Sequence, residues 1–378
     1  MNVMIVVTHL LGTGHLRRAL VLADAFAAVG HRVLLASGGM PLNLPTPDGT
    51  RILQLPPLRS DGVNFSRLLD DADQLADDAG LARRQTMLCD AIADFEPDIL
   101  ITELFPFGRR VLSAEFIALL DAAQRRASPP VILSSIRDIL APPSKPSKAE
   151  RAEELITNYY DAVLVHSDPH GTTLDQSWPI SEAVSAKLRY TGYVTQPPPT
   201  PHPERIGEGE ILVSAGGGNV GTALFETAIA AARLMPGYRW RLLVAGDAER
   251  VARLRDLARD SSTIVEPARP DFRNMLAGAA ASVSLCGYNT AMDVLQTRAP
   301  AVFVPFDDGN EVEQSLRASS LSDLSGIATL QSAELTADAL CATVRQVLAA
   351  PRREQGSLRF DGAAQSVTIA TGMAEART

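Results

Sequence analysis

The sequence has few cysteines and no excess of basic residues. Its three cysteines, Cys89, Cys286 and Cys341, are odd in number and far apart, which supports neither a disulfide framework nor a zinc site. The formal net charge of −9 argues against nucleic acid as a main partner, because a nucleic-acid surface needs a basic face to neutralise phosphates. A reducing cytoplasm fits the cysteine content.

Long hydrophobic runs are also missing. The apolar stretch at residues 1–11 is too short to span a bilayer and lacks the basic region and small-residue cleavage site of a signal peptide. We interpret it as the first buried strand of a cytoplasmic protein, with at most peripheral membrane contact. No glycine run is followed by G-K-[ST], which excludes a P-loop.

With 378 residues, the chain is long enough for two domains. Short apolar runs alternate with segments of helical periodicity in both halves, a pattern typical of doubly wound α/β sheets. Residues 196–203 are rich in proline, which resists both helix and sheet, so we place the boundary there. An acidic, helix-prone stretch is expected over residues 61–95.

The predicted architecture is therefore two doubly wound Rossmann-like domains that face each other across a cleft. The predicted spans are an N-terminal domain (1–195), a proline-rich linker (196–209), a C-terminal domain (210–355) and a C-terminal tail that packs back toward the N-terminal domain (356–378). Ligands of such sheets bind outside the carboxyl ends of the strands. The loops at those ends are where we expect the functional residues.

A glycine-rich turn opens the second domain, where residues 211–221 read I-L-V-S-A-G-G-G-N-V-G. Backbone N–H groups at the start of the following helix, together with the helix dipole, favour an anion such as a phosphate. The spacing Gly216-x-Gly218-x-x-Gly221 also matches the dinucleotide-binding fingerprint. That fingerprint needs an acidic residue about 20 residues further on, and residues 235–240 contain no carboxylate. A nicotinamide enzyme and a purely structural turn remain alternatives.

Motifs along the whole chain resemble the GT-B glycosyltransferases of the MurG-like type. The motifs are 12–15 (G-T-G-H), 216–218, 287–295 and 305–314; two more, 103–108 (E-L-F-P-F-G) and 135–138 (S-I-R-D), resemble a bacterial subgroup of predicted glycosyltransferases. The resemblance implies a two-domain enzyme that transfers a sugar from a nucleotide-diphosphate sugar, usually a UDP-sugar, to an acceptor hydroxyl with inversion. It implies no bound metal or other cofactor. The acceptor stays open between a small molecule, a glycan and a lipid carrier.

The resemblance places the donor site mainly in the C-terminal domain. The implied donor-binding residues are Gly14, Ser214, Gly216, Gly217, Gly218, Asn219, Arg269, Asn289, Thr290, Asp293, Glu313 and Gln314. Asp293 aligns with the carboxylate that binds the ribose hydroxyls, although Thr290-x-x-Asp293 is also a capping box. Glu313 and Gln314 match a glutamine pair that contacts sugar hydroxyls, and the alternative for them is a solvated helix face. Arg269 lies where related enzymes frame the base through the backbone.

Three residues are candidates for catalysis in the N-terminal domain. His15 follows the first strand and opens a helix, so it is placed to bind the donor diphosphate or to act as general base. The helix dipole disfavours its charged form. A histidine that merely caps its own turn is the alternative. Glu103 and Asp138 end two further strands and are rival bases, or they orient the acceptor.

Other functions are compatible with the same motifs. A nucleotide-sugar hydrolase on this scaffold would use water as the acceptor, and some such enzymes have the helix start seen at residues 14–18 (G-H-L-R-R). A non-catalytic nucleotide-sugar binding protein is the second alternative. The sequence names neither the sugar nor the acceptor.

Overall fold

The computed structural model describes residues 1–10, 12–42, 44–60, 67–169, 171–216, 220–307, 312–354 and 358–377. The chain divides into two compact units. Unit 1 comprises Met1–Thr195 with Leu358–Thr378, and unit 2 comprises Gln196–Ser357. Each unit contains one β-sheet with helices packed against it.

Unit 1 is built on a sheet of eight strands. They are β1 (Asn2–Val7), β2 (Arg32–Gly39), β3 (Thr50–Ser60), β4 (Leu68–Leu69), β5 (Ile99–Glu103), β6 (Val131–Arg137), β7 (Ala162–His166) and β8 (Leu188–Tyr190). Their order is β4-β3-β2-β1-β5-β6-β7-β8, parallel except for β4, which is antiparallel to β3. The winding direction therefore reverses between β1 and β5, the position where doubly wound sheets bind their ligands.

The helices of unit 1 cover both faces of this sheet. The first five are α1 (Gly14–Ala28), α2 (Asp78–Phe95), α3 (Ser113–Gln124), α4 (Pro146–Tyr159) and α5 (Glu182–Ser185). In β1, Ile5 packs in one buried cluster with Phe26 of α1, whereas Met4 packs in another with Phe116 of α3. Because both faces of the strand are buried, its sequence is a continuous apolar run rather than an alternating one.

Unit 2 is built on six parallel strands. They are β9 (Ile211–Ser214), β10 (Trp240–Val244), β11 (Ile264–Pro267), β12 (Ala281–Ser284), β13 (Ala301–Phe303) and β14 (Ile327–Thr329). The order is β11-β10-β9-β12-β13-β14, so the winding reverses between β9 and β12. Its helices are α6 (Thr222–Leu234), α7 (Ala248–Leu257), α8 (Phe272–Gly278), α9 (Tyr288–Thr297), α10 (Glu313–Leu321) and α11 (Ala337–Ala349).

These two sheets confirm the predicted α/β fold class with two Rossmann-like sheets. A final helix, α12 (Gly362–Glu375), belongs to unit 1, where Val367 and Ala370 are buried in the same cluster as Phe26. Within the ranges given above, no helix combines the length and the apolar character needed to cross a bilayer.

The prediction of a helix-prone stretch over residues 61–95 is wrong for its described first part. Residues 68–69 form β4, and the Asp70 side chain accepts hydrogen bonds from the N–H groups of Ala72 (2.9 Å) and Gln74 (2.8 Å). Such a side-chain turn competes with helix formation. The helix α2 begins only at Asp78, where the Asp77 carboxylate caps it by accepting from the N–H of Gly80 at 2.7 Å.

Gly221 has a conformation that only glycine adopts without strain. It precedes α6 with φ of 78°, and a Cβ atom at this position would lie 2.7 Å from the Cβ of Ala215. Both the left-handed backbone and this close approach exclude a side chain. The turn between β9 and α6 therefore depends on Gly221.

Replacing Gly221 with alanine is expected to destabilise unit 2 by about 1–3 kcal/mol, since it adds backbone strain and a steric overlap. Gly237→Ala is the matched control, because no atom lies within 4 Å of a Cβ there and its φ is not left-handed. Urea denaturation of both variants measures the difference. Equal stabilities would show that the Gly221 turn tolerates a side chain.

Candidate functional site

Two candidate catalytic residues meet where the winding of the unit 1 sheet reverses. His15 is the second residue of α1, which follows β1, and Glu103 is the last residue of β5, the neighbour of β1. The carboxyl ends of adjacent parallel strands lie at one edge of the sheet, so residues 88 positions apart come into contact. This edge is the candidate active site of unit 1.

The buried carboxylate of Glu103, which forms an ion pair with Arg18 and a hydrogen bond with His15, is the centre of this site. His15 Nδ1 lies 2.9 Å from Glu103 Oε1, and the guanidinium of Arg18 donates to the same oxygen. The other carboxylate oxygen of Glu103 accepts from the Ser135 hydroxyl at 2.7 Å. The side chain of Glu103 is 1% exposed and that of His15 is 12% exposed. Burying a carboxylate in this way requires such partners.

Burial and the neighbouring charges set the protonation states of His15 and Glu103. Burial lowers the pKa of His15 well below its usual 6.5, against the opposing hydrogen bond to Glu103. Arg109 and Arg18 lower it further by charge repulsion. Burial alone would raise the pKa of the Glu103 carboxyl, but Arg18 and His15 outweigh it and hold that pKa below its usual range. His15 is therefore neutral and Glu103 ionised at neutral pH.

The position of the His15 proton follows from this geometry. His15 Nδ1 lies 2.9 Å from Glu103 Oε1 and 3.2 Å from Nη2 of Arg18. The carboxylate only accepts and is the nearer partner, and Nη2 of Arg18 donates to Glu103 Oε1, so we assign the hydrogen to Nδ1. His15 is then the Nδ1–H tautomer, and Nε2 has the lone pair. His15 thus bonds to another strand rather than capping its own turn, and the main cause of its low pKa is burial rather than the helix dipole.

The hydrogen-bonded network extends across the sheet through Ser135, His166 and Thr191, none of which was a candidate catalytic residue. The Ser135 hydroxyl lies 2.8 Å from His166 Nε2, and His166 Nδ1 lies 2.9 Å from the Thr191 hydroxyl. His166 is fully buried, and burial lowers its pKa to about 3. Ser135 belonged to a recognised motif, but His166 had no sequence signal beyond its place at the end of a strand.

Asp138 and Gly14 lie at the same edge but make different contacts. Asp138 follows β6 and is buried, and its side chain accepts from the N–H of Ile139 at 2.8 Å. Burial is the main reason why the pKa of Tyr193 is raised to about 12, and the charge of Asp138 is the second. Gly14 is the first residue of α1. The structure thus brings His15 and Glu103 into direct contact.

The corresponding edge of the unit 2 sheet is formed by β9 and β12. Ser214 ends β9, and its hydroxyl accepts from the N–H of Gly216 at 3.2 Å. Gly216 has φ of 73°. The predicted diphosphate-binding residues Gly217, Gly218 and Asn219 lie outside the described residues.

Asp293 is one turn into α9, the helix that follows β12. Its Oδ1 accepts from Nε of Arg273 at 2.6 Å, and Nη2 of Arg273 also donates to the Gln296 side chain at 2.6 Å. The capping-box alternative is wrong, because α9 begins at Tyr288 with Gly287 as its N-cap, which places Thr290 inside the helix. Arg273 had not been identified from the sequence.

The other predicted donor residues occupy several elements of unit 2. Asn289 and Thr290 lie in the first turn of α9. Glu313 begins α10 and is buried, so the alternative of a solvated face is wrong for it. The Gln314 side chain accepts from the N–H of Phe306 at 3.2 Å. Arg269 binds both carboxylate oxygens of Asp271, at 2.9 and 2.6 Å, and this pairing lowers the pKa of Asp271 below its usual range.

Arg250 is a further residue that sequence reasoning missed. Its guanidinium donates to the carbonyl of Val220 at 2.6 Å and to that of Ala245 at 3.2 Å, and it lies over the Phe225 ring. It therefore ties the end of the glycine turn to the end of β10. A single arginine on a helix gives no signal of this role in the sequence.

Acid is expected to destabilise unit 1 through its buried histidines. Because folding lowers the pKa of His15 and His166, the unfolded chain binds more protons once the pH falls below 6.5. The free energy of unfolding should fall by up to about 1.4 kcal/mol per pH unit for each histidine between pH 6.5 and the folded pKa. Urea denaturation between pH 7.5 and 5.5 measures this slope. His166→Gln should reduce the slope, and an unchanged slope would contradict the assignment.

Comparisons with known proteins agree with this architecture. Residues 255–366 match the glycosyltransferase family 28 C-terminal domain. No curated protein matches the chain. The structure is similar to Acinetobacter baumannii MurG, with 16% identity, a TM-score of 0.64 and coverage of 99% of this chain and 100% of that one.

Two further similar structures are a plant protein in complex with a UDP-sugar analogue and an archaeal 2-epimerase. Phytolacca americana UGT2, complexed with UDP-2-fluoro-glucose and pterostilbene, has 13% identity, a TM-score of 0.59 and coverage of 100% and 94% of the two chains. The UDP-GlcNAc 2-epimerase of Methanocaldococcus jannaschii has 10% identity, a TM-score of 0.61 and coverage of 98% and 100%. These likenesses establish the fold and confirm the resemblance to MurG-like proteins. The chain thus has the GT-B fold, and its residues 255–366 match the glycosyltransferase family 28 C-terminal domain.

Proposed function

We propose that this protein transfers a sugar from a nucleotide-diphosphate sugar to an acceptor hydroxyl, with inversion at the anomeric carbon. The observation that carries the proposal is the hydrogen bond between His15 and Glu103 in a chain with a family 28 domain. A glycosyl transfer needs a base for the acceptor hydroxyl and a binding site for the departing diphosphate. Unit 1 offers the base, and unit 2 offers the donor site.

His15 is the proposed general base. As the Nδ1–H tautomer, it takes the hydroxyl proton at Nε2 while the acceptor oxygen attacks the anomeric carbon and the bond to the diphosphate breaks. The imidazolium that forms is stabilised by the charge of Glu103, as a buried carboxylate does for the histidine of hydrolytic triads. A single displacement at the anomeric carbon, assisted by one base, inverts the configuration of that carbon. Glu103 thus orients His15 and does not take the proton itself, and we assign Asp138 to the acceptor.

The donor is proposed to bind at the carboxyl edge of β9 and β12 in unit 2. We assign the N-terminus of α6, which follows Gly221, to the diphosphate, whose growing charge must be stabilised as it leaves. We further propose that this stabilisation needs no divalent metal and that the usual nucleotide is UDP. Glu313 and Gln314 at the start of α10 are assigned to the sugar hydroxyls.

Asp293 is assigned to the ribose hydroxyls, as a carboxylate suits a cis-diol. The ribose must share it with Arg273, which already binds Oδ1. The ion pair with Arg273 holds the Asp293 carboxylate in one orientation, so it is ordered before the nucleotide arrives. A preorganised acceptor lowers the entropy cost of binding.

The His15→Ala and Glu103→Gln variants are expected to lower kcat by about 10²–10⁴-fold, with little change in donor affinity. The first removes the base; the second keeps a hydrogen-bonding group but removes the charge that stabilises the imidazolium. A thermal-shift panel of nucleotide sugars identifies the donor, since a bound ligand raises the melting temperature. Release of the nucleoside diphosphate with a panel of acceptors then gives kcat. His31→Ala, a histidine just beyond the other end of α1, is the control.

Three outcomes of this assay would change the proposed reaction. Sugar release as fast without an acceptor as with one would replace transfer by hydrolysis. Donor binding without turnover under any acceptor would indicate a binding protein. Loss of activity in EDTA, restored by a divalent cation, would contradict metal independence.

Asp293→Ala is expected to weaken binding of the nucleoside diphosphate about 10–100-fold, because hydrogen bonds to a charged acceptor contribute about 1.5–3 kcal/mol. Calorimetry with UDP measures the dissociation constant. Asp256→Ala, at an exposed carboxylate on α7 in the same unit, is the matched control. If both variants bind UDP like the unaltered protein, Asp293 does not hold the ribose.

A further inference from the structure

A continuous path of hydrogen bonds runs along the carboxyl edge of the unit 1 sheet. It starts at His15 and continues through Glu103, Ser135 and His166 to Thr191, with successive separations of 2.9, 2.7, 2.8 and 2.9 Å. Each residue comes from a different strand or the segment after it, in the spatial order β1, β5, β6, β7 and β8. Beyond His15, every side chain on this path is buried.

The strand register explains why these side chains meet. Glu103 of β5 is paired with Ser135 of β6, so both side chains lie on one face of the sheet. His166 of β7 is paired with Arg137, two residues beyond Ser135, which places its side chain on the same face. Neighbours on one face of a sheet are within side-chain reach.

The proton directions along the path follow from the charge of Glu103. Because the carboxylate only accepts, the single hydroxyl hydrogen of Ser135 is directed at Glu103 Oε2. The Ser135 oxygen therefore accepts from His166, which must be the Nε2–H tautomer. The opposite arrangement, with the His166 hydrogen on Nδ1, would place two acceptors 2.7 Å apart at Glu103.

The two tautomers of His166 require different hydrogen bonds from Thr191. Its hydroxyl lies 2.9 Å from His166 Nδ1, but also 2.7 Å from the carbonyl of Gly192 and 3.3 Å from that of Val165, and one hydrogen cannot serve all three. A hydrogen bond to an ionised acceptor is about twice as strong as one between neutral groups. The bond from Ser135 to Glu103 therefore decides the direction of the whole path, and the Thr191 hydroxyl donates to His166.

We propose that His166, acting through Ser135, is a positioning residue for the base. It holds the Ser135 hydroxyl hydrogen on Glu103 Oε2, which leaves Oε1 in place to accept from His15. This role rests on the proposed function of His15, but its structural part, the coupling of His166 to His15, does not require that any transfer occurs. Ser135 and His166, both fully buried, are thereby connected to the base.

Two arginines act on the charges of the path. Arg18 donates to Glu103 Oε1 and lowers the pKa of both His15 and His166, and Arg109 lowers the pKa of His15. Both arginines are unchanged in the variants below. A shift in the titration of His15 in those variants therefore reports a change at Ser135 or His166.

The tautomer of His166 is tested first, in the full chain without any substitution. Nitrogen-15 labelling of histidine gives a small set of signals, since the chain has six histidines. Single His→Gln variants assign them. At pH 7 the proposal requires the Nε2–H tautomer for His166. The Nδ1–H tautomer or an imidazolium would overturn it.

The coupling to His15 is tested with Ser135→Ala against Ser134→Ala. Both serines are fully buried in β6, but the Ser134 hydroxyl donates to the carbonyl of Phe105 at 2.8 Å instead of to Glu103. Loss of the Ser135 donor makes Glu103 a stronger acceptor for His15, so the pKa of His15 should rise by about 0.5 unit or more. Ser134→Ala should leave the His15 titration unchanged. Equal titrations in the two variants would overturn the coupling.

A second pair of variants covers the case in which Ser135→Ala does not fold. The glutamine of His166→Gln has an amide N–H near the position of Nε2, whereas leucine in His166→Leu has no donor. We expect His166→Leu to raise the pKa of His15 and to lower kcat about tenfold or more at unchanged KM, as loss of an orienting partner does for metal-bound histidines. His166→Gln should restore both within about threefold. Equal effects of glutamine and leucine would overturn the role of the Nε2–H donor.

These measurements separate the two claims. If the titrations behave as expected but no nucleotide sugar supports turnover, the proposed function fails and the coupling stands. If turnover depends on His15 while the titrations of Ser135→Ala and Ser134→Ala agree, the coupling fails and the proposed function stands.

Discussion

The ionised carboxylate of Glu103, held in a fully buried position, is the constraint on which the candidate active site depends. A buried charge is costly unless it is paired and hydrogen-bonded. Here Arg18 supplies the opposite charge, while His15 and Ser135 complete the hydrogen bonds. Removal of any of the three leaves a buried charge with fewer partners. The same requirement therefore fixes the tautomer of His15 and the direction of the Ser135 hydroxyl.

The topology of the sheets explains where this chemistry can be placed. Both sheets reverse their winding next to their first strand, between β1 and β5 in unit 1 and between β9 and β12 in unit 2. Helices that start there leave a crevice at the carboxyl ends of the strands. The fold alone does not determine the reaction, since a structure named as a 2-epimerase shares it. The case for glycosyl transfer depends on the family 28 domain and on the His15–Glu103 pair.

Much of the fold and part of the site could be predicted from the sequence. Alternating apolar runs and glycine turns indicated two doubly wound sheets, because buried parallel strands are continuously apolar. His15 and Glu103 were found separately, each at the end of a strand. Their contact could not be predicted, because it joins residues 88 positions apart and depends on which strands are neighbours.

Other residues were missed for similar reasons. His166 and Arg273 act through long-range contacts that no local pattern records. The capping-box interpretation of Thr290 and Asp293 failed because the N-cap of the helix is Gly287, three residues before Thr290. The helix expected near residue 70 failed because the Asp70 side chain stabilises a turn instead.

The most direct test of the central claim is the tautomer of His15 at neutral pH. Nitrogen-15 spectra of histidine-labelled protein, with the His15 signals assigned from His15→Gln, distinguish the two neutral tautomers from the imidazolium. The pairing with Glu103 predicts a neutral ring with the hydrogen on Nδ1 and the lone pair on Nε2. A hydrogen on Nε2, or a doubly protonated ring at pH 7, would contradict the assignment of His15 as the base.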